Sequence, residues 1–499
     1  MLASIRSAIV TGVRGVAVSV EVHVGVGLPS FTIVGLPDAA CREARDRVRA
    51  AIVTSGFPWP QQRITVNLAP SDVRKVGAGL DLAIAVGILR CIEKVPEIAT
   101  TLGYLGELGL DGTVRPIVAA LPAAAALEVG EVICPRVNAA EIALLKRCRS
   151  LGVASLQEVV SCLNDLEPWP VAALPRPQQS AFGCGDLSEV RGQTFARFAI
   201  EVAAAGAHNL LMVGPPGAGK TMLAERIRTV LPALNEAAAL EVTMAHSAAG
   251  ALNDHGLMST PPFRAPHHTM SQIGLIGGGS HAIRPGEITL AHQGVLFLDE
   301  LGEFSASSLD ALRQPLEEGV VRIARAHGRA EMPARFQLIA AMNPCPCGAN
   351  DPNQCTCAHN ALGRYARRVS GPLLDRFDLR IRLNPTGHSK LLSDRGAERS
   401  TDVRARVCAA RDLAIERTGG PNAMMTAEQL GAFCLLDDDS KTLLHGEVAA
   451  GRLSGRGLRR IRCVARTIAD LEGNPGPLRV SDVAQSLALR ATLRIGERP

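Results

Sequence analysis

Residues 214–221 carry the stretch Gly214-Pro215-Pro216-Gly217-Ala218-Gly219-Lys220-Thr221, which fits the phosphate-binding pattern G-x-x-x-x-G-K-[S/T]. The apolar run 209–213 before it predicts a buried strand, and 222–227 after it predicts a helix. In that context the glycines let backbone amides surround a phosphate, and Lys220 adds a positive charge near the β and γ phosphates. Thr221 is the predicted Mg²⁺ ligand. The alternative is a glycine-rich turn before an ordinary helix, but the complete spacing favours a nucleoside triphosphate site.

A second segment bears on hydrolysis. The apolar run 294–298 ends in Asp299 and Glu300, which predicts a buried parallel strand with both carboxylates at its C-terminal end. Ligands of open α/β sheets bind at that edge. We expect Asp299 to hold Mg²⁺ through water and Glu300 to polarise the attacking water. An acidic strand end alone is commonly a helix cap, but together with Lys220 it predicts phosphoryl-transfer chemistry.

Two further residues complete the predicted catalytic set. The apolar run 335–342 predicts a strand that ends at Asn343, whose side chain would reach the γ-phosphate and orient water. Arg376 lies in a short segment between a predicted helix and a predicted strand. Offered to the nucleotide of a neighbouring subunit, Arg376 would stabilise charge in the transition state. The alternative from residue types alone is a local ion pair with Asp375 or Asp378.

Seven short motifs follow one another across this region. They are Phe263-Arg264-Ala265-Pro266-His267-His268-Thr269, Leu275-Ile276-Gly277-Gly278-Gly279, Pro285-Gly286-Glu287-Ile288, Leu298-Asp299-Glu300-Leu301, Leu312-Arg313-Gln314-Pro315-Leu316-Glu317, Asn343-Pro344-Cys345-Pro346-Cys347-Gly348 and Leu373-Leu374-Asp375-Arg376-Phe377-Asp378. Together they resemble the AAA+ ATPases related to the magnesium chelatase motor subunit, and most closely the ComM/YifB family. The resemblance covers essentially the whole ATPase region, and the flanking regions match as well.

This resemblance implies roles for individual residues. Asn343 would be sensor 1 and Arg376 the arginine finger. Ser454-Gly455-Arg456 resembles the start of the sensor 2 helix, so Arg456 is the implied lid arginine, with Arg459 and Arg460 as alternatives. The resemblance also implies ATP and Mg²⁺ as cofactors and a homo-oligomeric ring, expected to be a hexamer.

The predicted fold class is α/β, with a P-loop AAA+ core, an N-terminal α+β domain and a C-terminal helical lid. We expect the N-terminal domain over 1–165, a proline-rich linker over 166–182, the ATPase core over 183–385 and the lid over 386–499. The N-terminal domain resembles the ribosomal-S5-type fold that the proteolytic domain of Lon shares.

That likeness raises a second function, an ATP-dependent protease. A Lon-like site needs a serine nucleophile activated by a lysine. The comparable loop, 75–81, offers glycine and alanine where the nucleophile should be, and Ser71 lies outside the pattern. We therefore interpret the domain as a non-proteolytic platform for substrate or subunit contacts.

Four cysteines form two C-x-C pairs, Cys345 with Cys347 and Cys355 with Cys357. Brought together by a turn, four thiolates can make a closed tetrahedral Zn²⁺ site, in which His359 could replace one ligand. A reduced cysteine-rich loop is the alternative at these spacings. A metal here would be structural. The histidines His267 and His268 have no comparable partners, and we expect them to serve polar packing.

Residues 320–333 read as two short strands joined near His327-Gly328, a β-hairpin that Arg322, Arg325 and Arg329 make basic. In related ring helicases an equivalent hairpin lines the central pore, so contacts with DNA phosphates are the functional hypothesis. A solvated hairpin protected by its charge is the alternative. The glycine-rich insert from Ile273 to Pro285 is a second candidate pore element.

Composition agrees with a large intracellular enzyme. The 499 residues suggest two to four domains, and a net charge of +5 does not by itself announce a nucleic-acid binder. No apolar run approaches the length of about 18 residues that spans a bilayer, and the N-terminus lacks a signal-peptide pattern. Thirteen cysteines, an odd number, fit reduced thiols better than a disulfide framework. We expect a cytoplasmic protein without membrane partners.

The sequence and its resemblance predict an ATPase ring motor that acts on DNA. The implied role is a helicase or branch-migration activity in homologous recombination, especially the integration of transforming DNA. The alternative is a chelatase-like motor that remodels a protein partner, although the chain lacks an obvious acidic, integrin-like extension. DNA structure preference and polarity cannot be read from these motifs.

Overall fold

The computed structural model describes residues 1–97, 101–170, 185–252, 256–279, 283–325, 328–349, 355–385 and 397–491. The predicted linker from residue 171 onward, the start of the predicted lid and the predicted hairpin turn at His327 therefore lie outside the described residues.

The N-terminal region is built on one mixed sheet. Its strands, with one separate two-stranded pair, are β1 (Leu2–Thr11), β2 (Arg14–Gly25), β3 (Ser30–Val34), β4 (Arg63–Ala69), β5 (Leu102–Tyr104), β6 (Glu107–Leu108), β7 (Val114–Arg115), β8 (Glu131–Pro135) and β9 (Arg149–Val153). The sheet order is β3-β4-β2-β1-β5-β8-β9, while β6 pairs with β7. Strands β1 and β2 form an antiparallel hairpin, whereas β5, β8 and β9 run parallel.

Helices cover this sheet. They are Ala39–Thr54, Asp81–Cys91, Ala120–Ala125, Arg136–Ile142 and Leu156–Leu163, with a 3₁₀ turn at Ala143–Leu145. Asp38 caps the first helix by accepting a hydrogen bond of 2.8 Å from the Cys41 backbone amide. The second helix is buried at almost every position, because it packs between the first helix and strands β1 and β2.

The central region contains a parallel sheet of five strands among the described residues. They are β10 (Leu210–Val213), β11 (Phe263–Arg264), β14 (Val295–Leu298), β17 (Gln337–Met342) and β18 (Leu379–Arg382). The order is β11-β14-β17-β10-β18. Every residue of β10, β14 and β17 is buried, since helices cover both faces of the sheet. Val213 pairs with Met342, and Leu298 pairs with Ala340, so these three strands end at one edge.

Two small antiparallel pairs accompany the parallel sheet. Strand β12 (Gly277–Gly278) pairs with β13 (Arg284–Pro285), and β15 (Val320–Arg325) pairs with β16 (Gly328–Pro333). The helices of this region are Thr194–Gly206, Lys220–Val230, Glu236–Ala249, Gln272–Ile276, Glu287–Leu290, Ala306–Asp310, Arg313–Glu318, His359–Arg368 and Gly371–Leu374, with 3₁₀ turns at Leu187–Glu189 and Leu301–Glu303.

The C-terminal region is helical. Its helices are Ser400–Thr418, Ala427–Phe433, Asp438–Ala449, Gly455–Leu471 and Val480–Ala488, with a 3₁₀ turn at Asn422–Met424. Val403, Val464 and Ile468 join the same buried cluster as the apolar side chains of β10 and of Thr194–Gly206. The helices therefore pack directly on one side of the parallel sheet.

Among the described residues, the N-terminal region contacts the central one along the helix Glu236–Ala249 and at the β1–β2 turn. Ser247 donates a hydrogen bond to the buried carboxylate of Glu141. At the β1–β2 turn, the Gly12 amide donates to the Ile283 carbonyl at 3.2 Å, and Val13 joins the buried cluster that contains Met332. The turn therefore touches both the glycine-rich insert and the β15–β16 hairpin.

The mixed α/β class, the parallel central sheet and the helical C-terminal region were predicted and are confirmed. The domain boundaries and the likeness of the N-terminal region to the S5-type fold stay predictions. Within the described residues, no helix has both the length and the apolar character needed to cross a membrane.

Candidate nucleotide site

The phosphate loop leaves the C-terminal end of β10 and leads directly into the helix Lys220–Val230. Gly217 and Gly219 have φ angles of 74° and 84°, in the left-handed region that glycine tolerates. Gly214 lies so close to β18 that an added Cβ would be 2.6 Å from the Leu383 carbonyl oxygen. The predicted strand, loop and helix are all present, and the amides at the helix start are available to an anion.

Lys220 is the buried cation of this loop. Its Nζ donates to the carbonyls of Gly214 at 2.7 Å and Pro215 at 2.8 Å, and to Asn343 Oδ1 at 3.0 Å. Burial lowers the pKa of Lys220, while the carboxylates at the end of β14 act in the opposite direction. The ammonium is therefore held at the loop by neutral oxygens, and phosphate oxygens would be stronger partners.

Thr221 and Asp299 provide adjacent oxygen ligands. The Thr221 hydroxyl donates to Asp299 Oδ2 at 2.7 Å, and Asp299 Oδ1 accepts from the Glu300 amide at 2.9 Å. A hydroxyl and a carboxylate beside a phosphate-binding loop match the hard oxygen ligands that Mg²⁺ takes, with water and phosphate completing an octahedron. These residues therefore fit the ion that the sequence implies.

Glu300 follows Asp299 in an unusual backbone conformation. Its φ of 52° is left-handed, a strained state for a residue with a side chain, and such strain clusters at functional sites. The side chain is 56% exposed, and its Oε2 lies 3.1 Å from His268 Nδ1. Polar packing describes His267, which contacts the Thr269 hydroxyl at 2.9 Å. It does not account for His268, whose proximity to Glu300 is not evident from the sequence because the two residues follow different strands, β11 and β14.

Asn343 lies directly after β17, beside the phosphate loop. Its side-chain oxygen accepts from Lys220, and its backbone carbonyl accepts from the Tyr365 hydroxyl at 3.0 Å. Tyr365 is buried on the helix His359–Arg368 and fixes the end of β17. Sequence reasoning missed Tyr365, because nothing near it in the chain marks a contact with Asn343.

Arg376 lies at the opposite side of the parallel sheet from the phosphate loop, where the strands begin. Its backbone carbonyl accepts from Asn209 Nδ2 at 3.0 Å, and Asn209 directly precedes β10. The Arg376 guanidinium is buried, donates to the Pro372 carbonyl at 2.7 Å and forms an ion pair with Glu317. The anticipated alternative partners are engaged elsewhere, Asp375 with Arg380 and Asp378 with Arg460. Arg376 is thus locally paired, but with a partner that the sequence analysis did not name.

Arg456 and Arg376 line one groove of about 680 Å³, to which no residue of the phosphate loop contributes. Arg459 donates to the Met425 carbonyl, and Arg460 pairs with Asp378. Arg456 is exposed and has no hydrogen-bond partner among the described residues. Of the three lid arginines considered, Arg456 is therefore the one whose guanidinium is available for a ligand in this groove.

The four cysteines converge. The Sγ atoms of Cys345, Cys347, Cys355 and Cys357 all lie within 4.8 Å of one another, and three of the separations are 3.3, 3.8 and 3.9 Å. Sulfur atoms around tetrahedral Zn²⁺ lie about 3.8 Å apart, given Zn–S bonds of about 2.3 Å. The Ala349 backbone and the Cys345 thiol lower the pKa of Cys347 to about 6. The cluster fits zinc, and His359 is not part of it.

The β15–β16 hairpin is present, and its three arginines differ. Arg322 lies opposite Glu331, contacts its carboxylate at 3.0 Å and also pairs with Glu318. Arg325 and Arg329 are exposed and have no carboxylate partner among the described residues. The positive charge available to an anion therefore comes from Arg325 and Arg329, near the end of the hairpin.

The N-terminal region has no assembled Ser–Lys pair among the described residues. Lys75 is fully buried, and its Nζ donates to the Pro70 carbonyl and, at 2.8 Å, to the Val73 carbonyl. Ser71 is exposed and forms no hydrogen bond with Lys75. The geometry agrees with the non-proteolytic interpretation, which stays a prediction.

Comparisons with known proteins cover nearly the whole chain. Three family models match the chain. The model described as magnesium chelatase, subunit ChlI, matches residues 186–391, and the model described as subunit ChlI of Mg-chelatase matches residues 20–138. The model of the ChlI C-terminal region matches residues 397–490. The competence protein ComM of Haemophilus influenzae is 41% identical over 99% of this chain and 98% of its own length. The uncharacterised protein YifB of Escherichia coli is 41% identical over 92% of each chain.

Two further relatives, one matched over nearly its full length and one over less than half, complete the comparison. An uncharacterised protein of Mycobacterium tuberculosis is 43% identical over 97% of this chain and 98% of its own length. Lon protease 2 of Bacillus subtilis is 25% identical over 41% of each chain. Full-length identity above 40%, family matches over all three regions and an intact phosphate loop lead to one conclusion: the chain belongs to the ComM/YifB family of magnesium-chelatase-like AAA+ proteins.

Proposed function

We propose that the chain is a Mg²⁺-dependent ATPase that works as a ring motor on DNA. The observation that carries the ATPase proposal is the convergence of Lys220, the Thr221–Asp299 pair, Glu300 and Asn343 at one edge of the parallel sheet. That edge is where open α/β sheets bind ligands.

Each side chain has a distinct task in hydrolysis. Lys220 and the loop amides bind the phosphates, while Asn343 orients water at the γ-phosphorus. The water oxygen attacks that phosphorus, its proton passes to the Glu300 carboxylate, and the bond to the β-phosphate oxygen breaks with its electron pair going to ADP. Thr221 and Asp299 would hold Mg²⁺, which neutralises charge on the phosphates when bound.

The position of Arg376 favours a nucleotide site that is formed by residues of two subunits. The strand β10 separates Asn209, beside Arg376, from Gly214 at the phosphate loop. The five residue steps from Asn209 to Gly214 span about 16 Å, which is too far for Arg376 to reach its own nucleotide. A second copy can present its nucleotide to the groove, where Arg376 and Arg456 would both meet it. A closed ring, expected to be a hexamer, satisfies this head-to-tail geometry.

The DNA part of the proposal rests on charge and on kinship. The exposed Arg325 and Arg329, which have no carboxylate partner among the described residues, offer positive charge to phosphates. One full-length relative is named a competence protein. We therefore propose a helicase or branch-migration role in homologous recombination and natural transformation, in the cytoplasm.

A chelatase-like motor that remodels a protein partner is the second candidate. The matches to magnesium chelatase subunit ChlI favour it. The two candidate functions differ in the molecule that should stimulate ATP hydrolysis, which is DNA for the first and a protein partner for the second. Steady-state phosphate release should rise several-fold on addition of DNA if the DNA proposal is right, and the Arg325→Ala/Arg329→Ala protein should lose that rise while keeping basal turnover. Turnover that ignores single-stranded, double-stranded and branched DNA would favour the protein-remodelling motor.

We also propose that the four-cysteine cluster holds structural Zn²⁺. Gly348 lies between its two C-x-C pairs, and an added Cβ there would be 2.8 Å from Pro216 of the phosphate loop. The ion would stiffen the segment that follows Asn343 and support the loop through this contact. Metal analysis of the purified protein, with Cys345→Ser and Cys355→Ser variants for comparison, tests the assignment.

A further inference from the structure

The Glu300 carboxylate has one polar side-chain contact among the described residues, the His268 imidazole. The distance from Glu300 Oε2 to His268 Nδ1 is 3.1 Å. The Glu300 side chain is 56% exposed, so packing does little to fix its rotamer. Its backbone φ of 52° shows that the surrounding structure fixes the direction in which this side chain leaves the backbone. His268 is therefore the group that can complete the orientation of the carboxylate.

The imidazole of His268 is itself held firmly. Its ring lies against that of His267, with centroids 4.1 Å apart and planes tilted by 34°, and it meets the ring of Phe304 edge-on at 6.5 Å. Phe304 is buried and follows Glu300 by four residues, so both partners of the contact share one support. An aromatic group held on two sides loses little further rotamer freedom when it contacts a carboxylate.

His268 lies on the short segment that joins β11 to the glycine-rich insert. The preceding strand β11 is anchored by Arg264, which donates to both oxygens of Glu287 at 2.6 and 2.7 Å. Glu287 begins the helix that follows the insert, and Ser271, three residues after His268, caps the helix Gln272–Ile276 inside it. The segment that carries His268 is therefore anchored before it by the Arg264–Glu287 pair and followed after it by the capped helix Gln272–Ile276.

We propose that His268 is a positioning residue for Glu300, which directs its carboxylate toward the attacking water and links this direction to the insert. This inference rests on the proposed ATP hydrolysis. A general base works when a third group orients it, and a misplacement of about 1 Å can cost about a hundredfold in rate. His268 touches no nucleotide-binding residue of the loop, so its loss should change turnover and not ATP binding.

Steady-state ATP hydrolysis and nucleotide titration of the full chain test this assignment. We expect His268→Ala to lower kcat about tenfold to a hundredfold while the Kd for ATP stays within about twofold of wild type. His268→Asn should retain most of the rate, because its amide nitrogen replaces Nδ1, whereas His268→Gln, which mimics Nε2, should not. His267→Phe, which keeps an aromatic ring against His268, is the matched control and should turn over nearly as wild type.

A double-mutant cycle separates positioning from a merely structural role. In the Glu300→Gln protein, adding His268→Ala should cause no further loss of turnover, because the group that His268 directs is already absent. Additive losses, or a His268→Ala protein with wild-type kcat, would overturn the assignment while leaving the ATPase proposal intact. A wild-type protein that binds but never hydrolyses ATP would overturn both.

Discussion

The two ends of the parallel strands carry different halves of the proposed catalytic set. The nucleotide edge is the side where the strands end, and the arginine edge is the opposite side, where they begin. At the nucleotide edge, Lys220 contacts Asn343, and Thr221 contacts Asp299, all within one chain. At the opposite edge, Arg376 is held by Glu317, and Arg456 lines the same groove with no described partner. The first edge is assembled by folding alone. The second acquires a role in hydrolysis only if another copy brings its nucleotide to the groove.

The largest effect is expected at the nucleotide edge. Lys220→Ala should abolish tight ATP binding, because it removes the buried ammonium of the loop. Glu300→Gln should keep binding but lower turnover about 10²-fold to 10⁴-fold, because the base is lost while the shape is kept. Nucleotide titration with phosphate-release assays distinguishes the two variants. Near-normal turnover by Glu300→Gln would show that another group activates the water.

At the arginine edge, Arg376→Ala should lower turnover of the assembled ring about 10³-fold with ATP binding retained. Glu317→Gln is the matched control: it breaks the same ion pair but keeps the guanidinium, and it should remain active. If Arg376 has only a structural role, both variants should melt at a lower temperature than wild type. The loss of turnover in each variant should then be proportional to its loss of thermal stability. Parallel melting and turnover measurements decide between these results.

The contrast between the edges also explains what the sequence could predict. Lys220, Asp299 and Asn343 each follow an apolar strand run, and parallel strands bring such ends to one edge, so local patterns were sufficient. The partners Glu317 for Arg376, His268 for Glu300 and Tyr365 for Asn343 come from segments distant in the chain. No period or motif specifies those contacts, because they depend on how helices and the insert pack on the sheet.

A smaller effect should follow loss of the thiol cluster, which would sharpen the account of the nucleotide edge. Removing metal with a chelator, or changing Cys347 to Ser, should weaken ATP binding several-fold, because the segment around Gly348 supports Pro216. Cys408→Ser, outside the cluster, is the control. The Kd for ATP with and without added Zn²⁺ measures the effect, and an unchanged Kd in metal-free protein would separate the cluster from the loop.

The smallest effect concerns the hairpin. Replacing Arg325 and Arg329 by Ala should reduce the slope of log affinity for DNA against log salt concentration by about 1 to 2, since each phosphate contact contributes about 0.9. Arg322→Ala should change the slope less, because Glu318 and Glu331 already pair with Arg322. Binding titrations across a salt series measure these slopes. Identical slopes for all proteins would remove the hairpin from the DNA path.

The central claim is that one hydrolytic site draws on both edges, from two subunits. The direct test mixes inactive Arg376→Ala protein with inactive Glu300→Gln protein, after mass measurement confirms mixed oligomers. Some interfaces then combine an intact Glu300 with an intact Arg376, so ATP turnover should reappear. Mixing Lys220→Ala with Glu300→Gln is the control, because both changes affect the same edge and no intact interface can form. Absence of turnover in the first mixture would contradict the shared site.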